Sequence, residues 1–230
     1  MGGWKKTQAS YCCSRTIGEY CSLIVFMCGI IGYIGNKPAT PLILDGLRKQ
    51  SYRGYDSSGI IVLEKEKPEL VRAVGKLEIL EEKVQKSDFK GTVGLGHSRW
   101  ATHGEVTEAN AHPHADCNNN IFVVHNGIIE NFMSLKRQLE EKGHVFHSET
   151  DTEVLPHLIE HFFKGDLPKA VRQALLLVKG SYGMAVVAKE DPGKIVAARV
   201  SSALVISVND SGGFIASDPS AIVHYKDIII

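Results

Sequence analysis

The sequence predicts a layered α+β domain, because short apolar runs of strand character crowd both ends of the chain while amphipathic helical patterns lie between them. A length of 230 residues is enough to bury the core of one large domain. Hydrophobic residues at 43% and charged residues at 23% are those of a soluble globular chain and argue against extensive disorder.

In order, residues 1–26 have neither helical nor strand periodicity and read as an appendage. "CGIIGYIG" from Cys28 reads as a buried strand, followed by a helix over residues 40–50 with Thr40 as cap and Pro41 at its first position. "GIIVLE", "LVRAVG" and "VGLGHSR" read as strands around a charged helix at residues 76–86, and "IFVVHNG" as a strand ending in a turn. Helices are expected at residues 132–142, 153–163 and 167–178. "MAVVAK", "KIVAAR", "ALVISV" and "GFIAS" then follow as short strands at hairpin spacing.

Charge excludes some partners. The 26 basic and 26 acidic residues are interspersed, so no field favours nucleic acid or an anionic membrane. The five cysteines, Cys12, Cys13, Cys21, Cys28 and Cys117, are an odd number clustered at the front, which is no disulfide framework and leaves a cytoplasmic location as the expectation. An uncharged run of 17 residues, 20–36, follows Lys5, Lys6 and Arg15, but its glycines and short apolar heart argue against a signal or a membrane span.

Several segments could carry chemistry. Cys28 has no adjacent His to activate it, yet if the chain began there its α-amine, with a pKa of roughly 7.7–8.0, could serve as the base. The bland alternative is a buried strand cysteine. Asn126 and Gly127 in "HNGIIENF" outline an oxyanion hole, although Asn-Gly is also a common tight turn. Arg99, Trp100, Thr102 and His103 in "GHSRWATHGE" suggest a carboxylate grip, against a surface Arg beside a core Trp. In "SETDTEV", Thr150 and Glu153 have capping-box spacing, so Asp151 is either part of a helix cap or a carboxylate awaiting an ammonium. His112, His114, Asp116 and Cys117 in "NAHPHADC" match no closed zinc pattern, and Pro113 reads as fixing a loop there.

Taken together, "MCGIIGYIG", "YRGYDSSGI", "GHSRWATHG", "NAHPH", "VVHNGIIENF", "SETDTEV" and "FIASDPSAIV" resemble, in order and over nearly nine-tenths of the chain, the glutaminase domain of glucosamine-6-phosphate synthase. That family is also called glutamine:fructose-6-phosphate aminotransferase (isomerising), and this part of it is an N-terminal class II glutamine amidotransferase domain. The resemblance implies an N-terminal-nucleophile hydrolase fold, a four-layer αββα sandwich with two antiparallel sheets. It implies Cys28 as nucleophile with its own α-amine as base, and Asn126 with Gly127 as oxyanion hole. Arg99, Thr102, His103 and Asp151 would bind L-glutamine, Trp100 would lie in a loop over the site, and Arg53 would sit near the nucleophile. It implies no metal and no organic cofactor.

The family begins at Met-Cys, so residues 1–27 are expected to be an extraneous leader or a misread start and residues 28–230 the glutaminase domain, with the sugar isomerase domains missing. Fructose 6-phosphate would be reached only through those domains, and the intact enzyme is expected to be a homo-oligomer with neither nucleic-acid nor membrane partners. Val106 and "RVSSALV" depart from the family pattern in two loops. Other amidotransferases of the same fold are one alternative, and a catalytically silent fragment whose leader blocks the Cys28 amine is another.

Overall fold

The computed structural model describes residues 28–53, 56–64, 67–87, 89–100, 104–225 and 228–229, so the expected leader lies outside it. The chain runs β1 (Gly29–Gly35), α1 (Ala39–Lys49), β2 (Ser57–Val62), β3 (Glu69–Val74), α2 (Leu77–Gln85), β4 (Val93–Arg99), β5 (His114–Ala115) and β6 (Ile121–Ile129). It continues with α3 (Phe132–Glu140), α4 (Val154–Phe162), α5 (Leu167–Leu175), β7 (Gly180–Ala188), β8 (Val196–Val200), β9 (Val205–Asn209), β10 (Gly212–Ala216) and β11 (Ile228–Ile229). Short 3-10 turns stand at Ser51–Arg53, Asp151–Glu153 and Pro219–Ala221.

Two sheets form, one in the order β11-β9-β10-β1-β4-β2-β3 and the other β5-β6-β7-β8. Every pairing within them is antiparallel. Strand alternation decides the layers, since successive side chains point to opposite faces. From β1, Ile31 and Tyr33 join Ile43 and Leu47 of α1 and Leu80 of α2 in one core. Ile30, one residue away, faces Phe122, Val124, Ala185 and Val187 of the other sheet in a second. The opposite faces of β6 and β7, with Ile121, Val123, Met184 and Val186, pack against α3, α4 and α5 in a third. Three cores between four layers make the expected αββα sandwich. Gly96 lets α1 lie close on the sheet, because a Cβ there would stand 2.3 Å from Ile43 Cγ2.

Local expectations needed three corrections. The first helix starts at Ala39, not at a Thr40 cap: Pro38 precedes it with φ −53°, the Ala39 N–H donates to Gly91 O at 2.8 Å, and Thr40 is buried inside the first turn. The helix expected to reach residue 178 stops at Leu175, since the Asn131 side chain takes hold of Leu177 O and Lys179 N–H beyond it. Asn126-Gly127 is no turn. Both residues lie inside β6, paired with Gly183 and Tyr182 of β7, and the strand continues to Ile129.

Candidate active site

Cys28 stands immediately before β1, where the register of Gly29 with Ser98 brings it to the end of β4. The Trp100 N–H donates to Cys28 Sγ at 3.0 Å, and Sγ lies 3.6 Å from Trp100 O. Burial raises the Cys28 thiol pKa, opposed by the Trp100 amide and the Arg99 charge. Unaided, the thiol is therefore protonated near neutrality and needs a base before it can attack.

Asn126 reaches the same point from the other sheet, its Nδ2 donating to Cys28 O at 2.9 Å. This contact fixes the amide orientation, so Oδ1 faces His97 Nε2 at 3.0 Å and that nitrogen must carry the proton. His97 is fully buried, and burial, together with the His125 and Arg99 charges, lowers its pKa to about 3. It is neutral, and its single N–H is committed to Asn126. Gly127 follows with φ +131°, where a Cβ would meet Ser181 O at 2.1 Å, so only glycine keeps this stretch of β6 paired.

The backbone that presents Cys28 is held by side chains the sequence did not single out. Gly29 N–H donates to Ser98 Oγ and Ile30 N–H to Ser217 Oγ, while Ser217 in turn donates to buried Gln50. His97 was also missed. Its signal was available in "VGLGHSR": on β4 it faces the second sheet with Leu95, a buried position where a polar ring must serve a partner.

Arg99 is 4% exposed and donates to Glu105 O at 3.3 Å. Burial lowers its pKa, while Cys28, Asp56 and Asp151 oppose the shift, which places these groups within electrostatic reach of the guanidinium. Asp151 is no helix cap, because its Oδ2 accepts the Ile129 N–H at 2.7 Å and ties the 3-10 turn to the end of β6. The expected capping box is likewise displaced. Glu153 accepts from Ser148 Oγ and from the Ser148 and His147 N–H groups, leaving Thr150 Oγ1 to pair with His114 Nε2 at 2.9 Å.

The fold thus brings Cys28, Arg99, Trp100, Asn126, Gly127 and Asp151 to one end of the two sheets. Thr102, His103 and the side chain of Arg53 lie outside the described residues. His112 and His114 do not form a metal group with Asp116 and Cys117. His112 stacks on His97 with ring centroids 4.1 Å apart, and Asp116 Oδ1 accepts the Asn120 and Ile121 N–H groups of its own turn.

A family described as a glutamine amidotransferase domain matches residues 97–224. The chain is 48% identical over 203 residues to the glutamine–fructose-6-phosphate aminotransferase (isomerizing) of Clostridium acetobutylicum, covering 88% of this chain and 33% of that protein. It is 51% identical over 199 residues to the protein of that name from Thermus thermophilus, covering 86% and 33%. The chain therefore spans about a third of the length of these relatives. Among solved structures, the glutamine phosphoribosylpyrophosphate amidotransferase from B. subtilis, complexed with ADP and GMP, superimposes with a TM-score of 0.74 at 28% identity, covering 85% of this chain and 43% of that one.

Proposed function

Since the chain belongs to the glutamine amidotransferase domain family, we propose that it hydrolyses the side-chain amide of L-glutamine through a Cys28 thioester. The observation that carries this reading is the meeting of Cys28 and Asn126 from different sheets, with Nδ2 2.9 Å from Cys28 O. The Cys28 thiol would lose its proton to the α-amine of the same residue and attack the amide carbon. The second N–H of the Asn126 amide and the Gly127 N–H would receive the developing oxyanion. Ammonia leaves with that proton, and water then cleaves the thioester to glutamate.

Arg99 supplies the grip for the α-carboxylate and Asp151 the partner for the α-ammonium, an arrangement that selects a free amino acid by both ends. Thr102, His103, Trp100 and Arg53 complete the binding set. The mechanism needs an unacylated Cys28 amine, so we place the mature start at Cys28 and treat residues 1–27 as a leader or misread start. In the longer protein the ammonia would be passed to fructose 6-phosphate, in keeping with the names of the relatives, in a cytoplasmic homo-oligomer. No helix among the described residues is long and apolar enough to cross a membrane.

The test is ammonia release from L-glutamine by the protein beginning at Cys28, alongside the chain beginning at Met1. Turnover by the first and none by the second supports the mechanism. No turnover by either, with the fold intact by circular dichroism, sinks it and leaves a silent glutamine-binding module.

A further inference from the structure

Away from Cys28, four side chains from three segments converge. Cys117 lies in the turn between β5 and β6, His144 in the segment between α3 and the 3-10 turn Asp151–Glu153, and His157 and Glu160 one turn apart on α4. Cys117 Sγ is 3.6 Å from His144 Nδ1 and 3.3 Å from His157 Nδ1. Glu160 Oε2 is 3.0 Å from His144 Nδ1 and 3.5 Å from His157 Nδ1, and all four atoms lie within 4.8 Å of one another.

Tetrahedral zinc, with bonds of about 2.3 Å to sulfur, about 2.0–2.1 Å to nitrogen and about 2.0–2.2 Å to oxygen, separates neighbouring ligand atoms by about 3.6 Å for sulfur and nitrogen and about 3.4 Å for nitrogen and oxygen. The four separations to the two histidine nitrogens scatter around those values, and with the whole set within 4.8 Å, binding would draw the widest pair closer. A thiolate, two imidazoles and a carboxylate are also the donor types that zinc takes.

The surroundings orient these ligands. His157 is almost wholly buried, and its Nε2 has no hydrogen-bond partner among the described residues, although Glu153 Oε1 stands 3.7 Å from it. A metal on Nδ1 would place the proton on Nε2, facing that carboxylate, the arrangement that commonly fixes a ligating histidine. The other oxygen of Glu160, Oε1, accepts from Asn118 Nδ2 at 2.7 Å.

We propose that Cys117, His144, His157 and Glu160 form a structural zinc site that clamps the β5–β6 turn and the segment after α3 onto α4. All four positions come from the protein, so none is kept open for a reacting water. The Cys117 proton leaves to solvent as the metal enters, and the exposed Cys117 gives the ion its way in.

The experiment is zinc content by mass spectrometry on the full chain, purified without a metal-affinity tag and dialysed. It is paired with Co2+ titration of the chelator-treated protein. About one zinc per chain, falling at least tenfold in Cys117→Ser and His144→Ala, is expected. Co2+ should give a thiolate charge-transfer band that Cys117→Ser abolishes. Glu160→Gln, close in volume, serves if either variant fails to fold, and should also lower zinc retention at least tenfold. Trace zinc with no cobalt band, or retention unchanged in the folded variants, overturns the proposal and leaves a cluster held by hydrogen bonds alone.

Discussion

Two groups of histidines in this chain are built in opposite ways. Around β4 to β6, His97, His112, His114 and His125 are buried, with His97 stacked on His112 and His112 edge to face with His114, but their polar atoms are served separately. His97 Nε2 serves Asn126, His112 Nδ1 accepts the His125 N–H, and His114 and His125 pair with Thr150 and Thr152. On α4 and the adjoining segments, His157 and His144 instead turn their Nδ1 atoms toward one point shared with a thiol and a carboxylate. Divergent nitrogens orient neighbours and stay neutral, while convergent ones present their lone pairs to one point, as a cation site requires. Clustering alone is therefore uninformative about metal binding, and the direction of the lone pairs decides.

If the inner group exists to hold the Cys28 end in shape, breaking that end should leave the metal cluster untouched. The largest effect expected is from Cys28→Ala, which should lower glutamine turnover of the protein beginning at Cys28 by about 10⁴-fold or more. Ammonia release measures this, and zinc content should not change. Full activity in the variant would sink the nucleophile assignment. Asn126→Ala comes next, with kcat lower by about 100-fold or more through loss of an oxyanion donor worth about 2.7–4 kcal/mol. A fall in kcat/KM caused wholly by KM would instead make Asn126 a binding residue.

Acid should separate the two groups by stability. Burial lowers the pKa of His97 to about 3 and that of His125 to about 4, and it holds His112 and His114 well below the ordinary value. Unfolding exposes these rings, so below about pH 6.5 the unfolded chain binds more protons. Their contribution is fully present above that pH and is lost as pH falls toward the folded values. His97 and His125 alone predict stability that falls steeply as pH drops from about 6 to about 4. Urea midpoints against pH, taken in chelator so that metal release does not contribute, measure the slope, and a flat profile would contradict neutral burial.

The smallest effect expected is from His97→Leu, which removes the donor that holds Asn126 Oδ1 and should lower kcat about 10-fold, the worth of one orienting hydrogen bond. His97→Gln, which can still donate, should recover part of the loss. Equal kinetics in the two variants would show that the ring only fills space.

Much of the Cys28 end was legible because it is written in contiguous stretches. "CGIIGYIG" reads as a strand by its unbroken apolar run, and of the residues expected at the site Cys28 stands just before β1, Arg99 ends β4, Asn126 and Gly127 lie on β6 and Asp151 opens the turn before α4. What sequence order could not supply was the partner of each polar group. Thr150 and Glu153 have capping-box spacing, yet tertiary contacts gave Thr150 to His114 and Glu153 to Ser148. Asn126-Gly127 has the composition of a turn, yet pairing with β7 keeps it in a strand.

By itself, then, the sequence determined the five helices, nine of the eleven strands among the described residues, the family resemblance and the candidate nucleophile, since each depends on local periodicity or contiguous residues, while the two-residue strands β5 and β11 are too short to show a period. Only the tertiary structure decided that His97 steers Asn126 and that Cys117 meets His144, His157 and Glu160. Those contacts join residues 29 and up to 43 positions apart, across strands and helices whose packing no local pattern encodes.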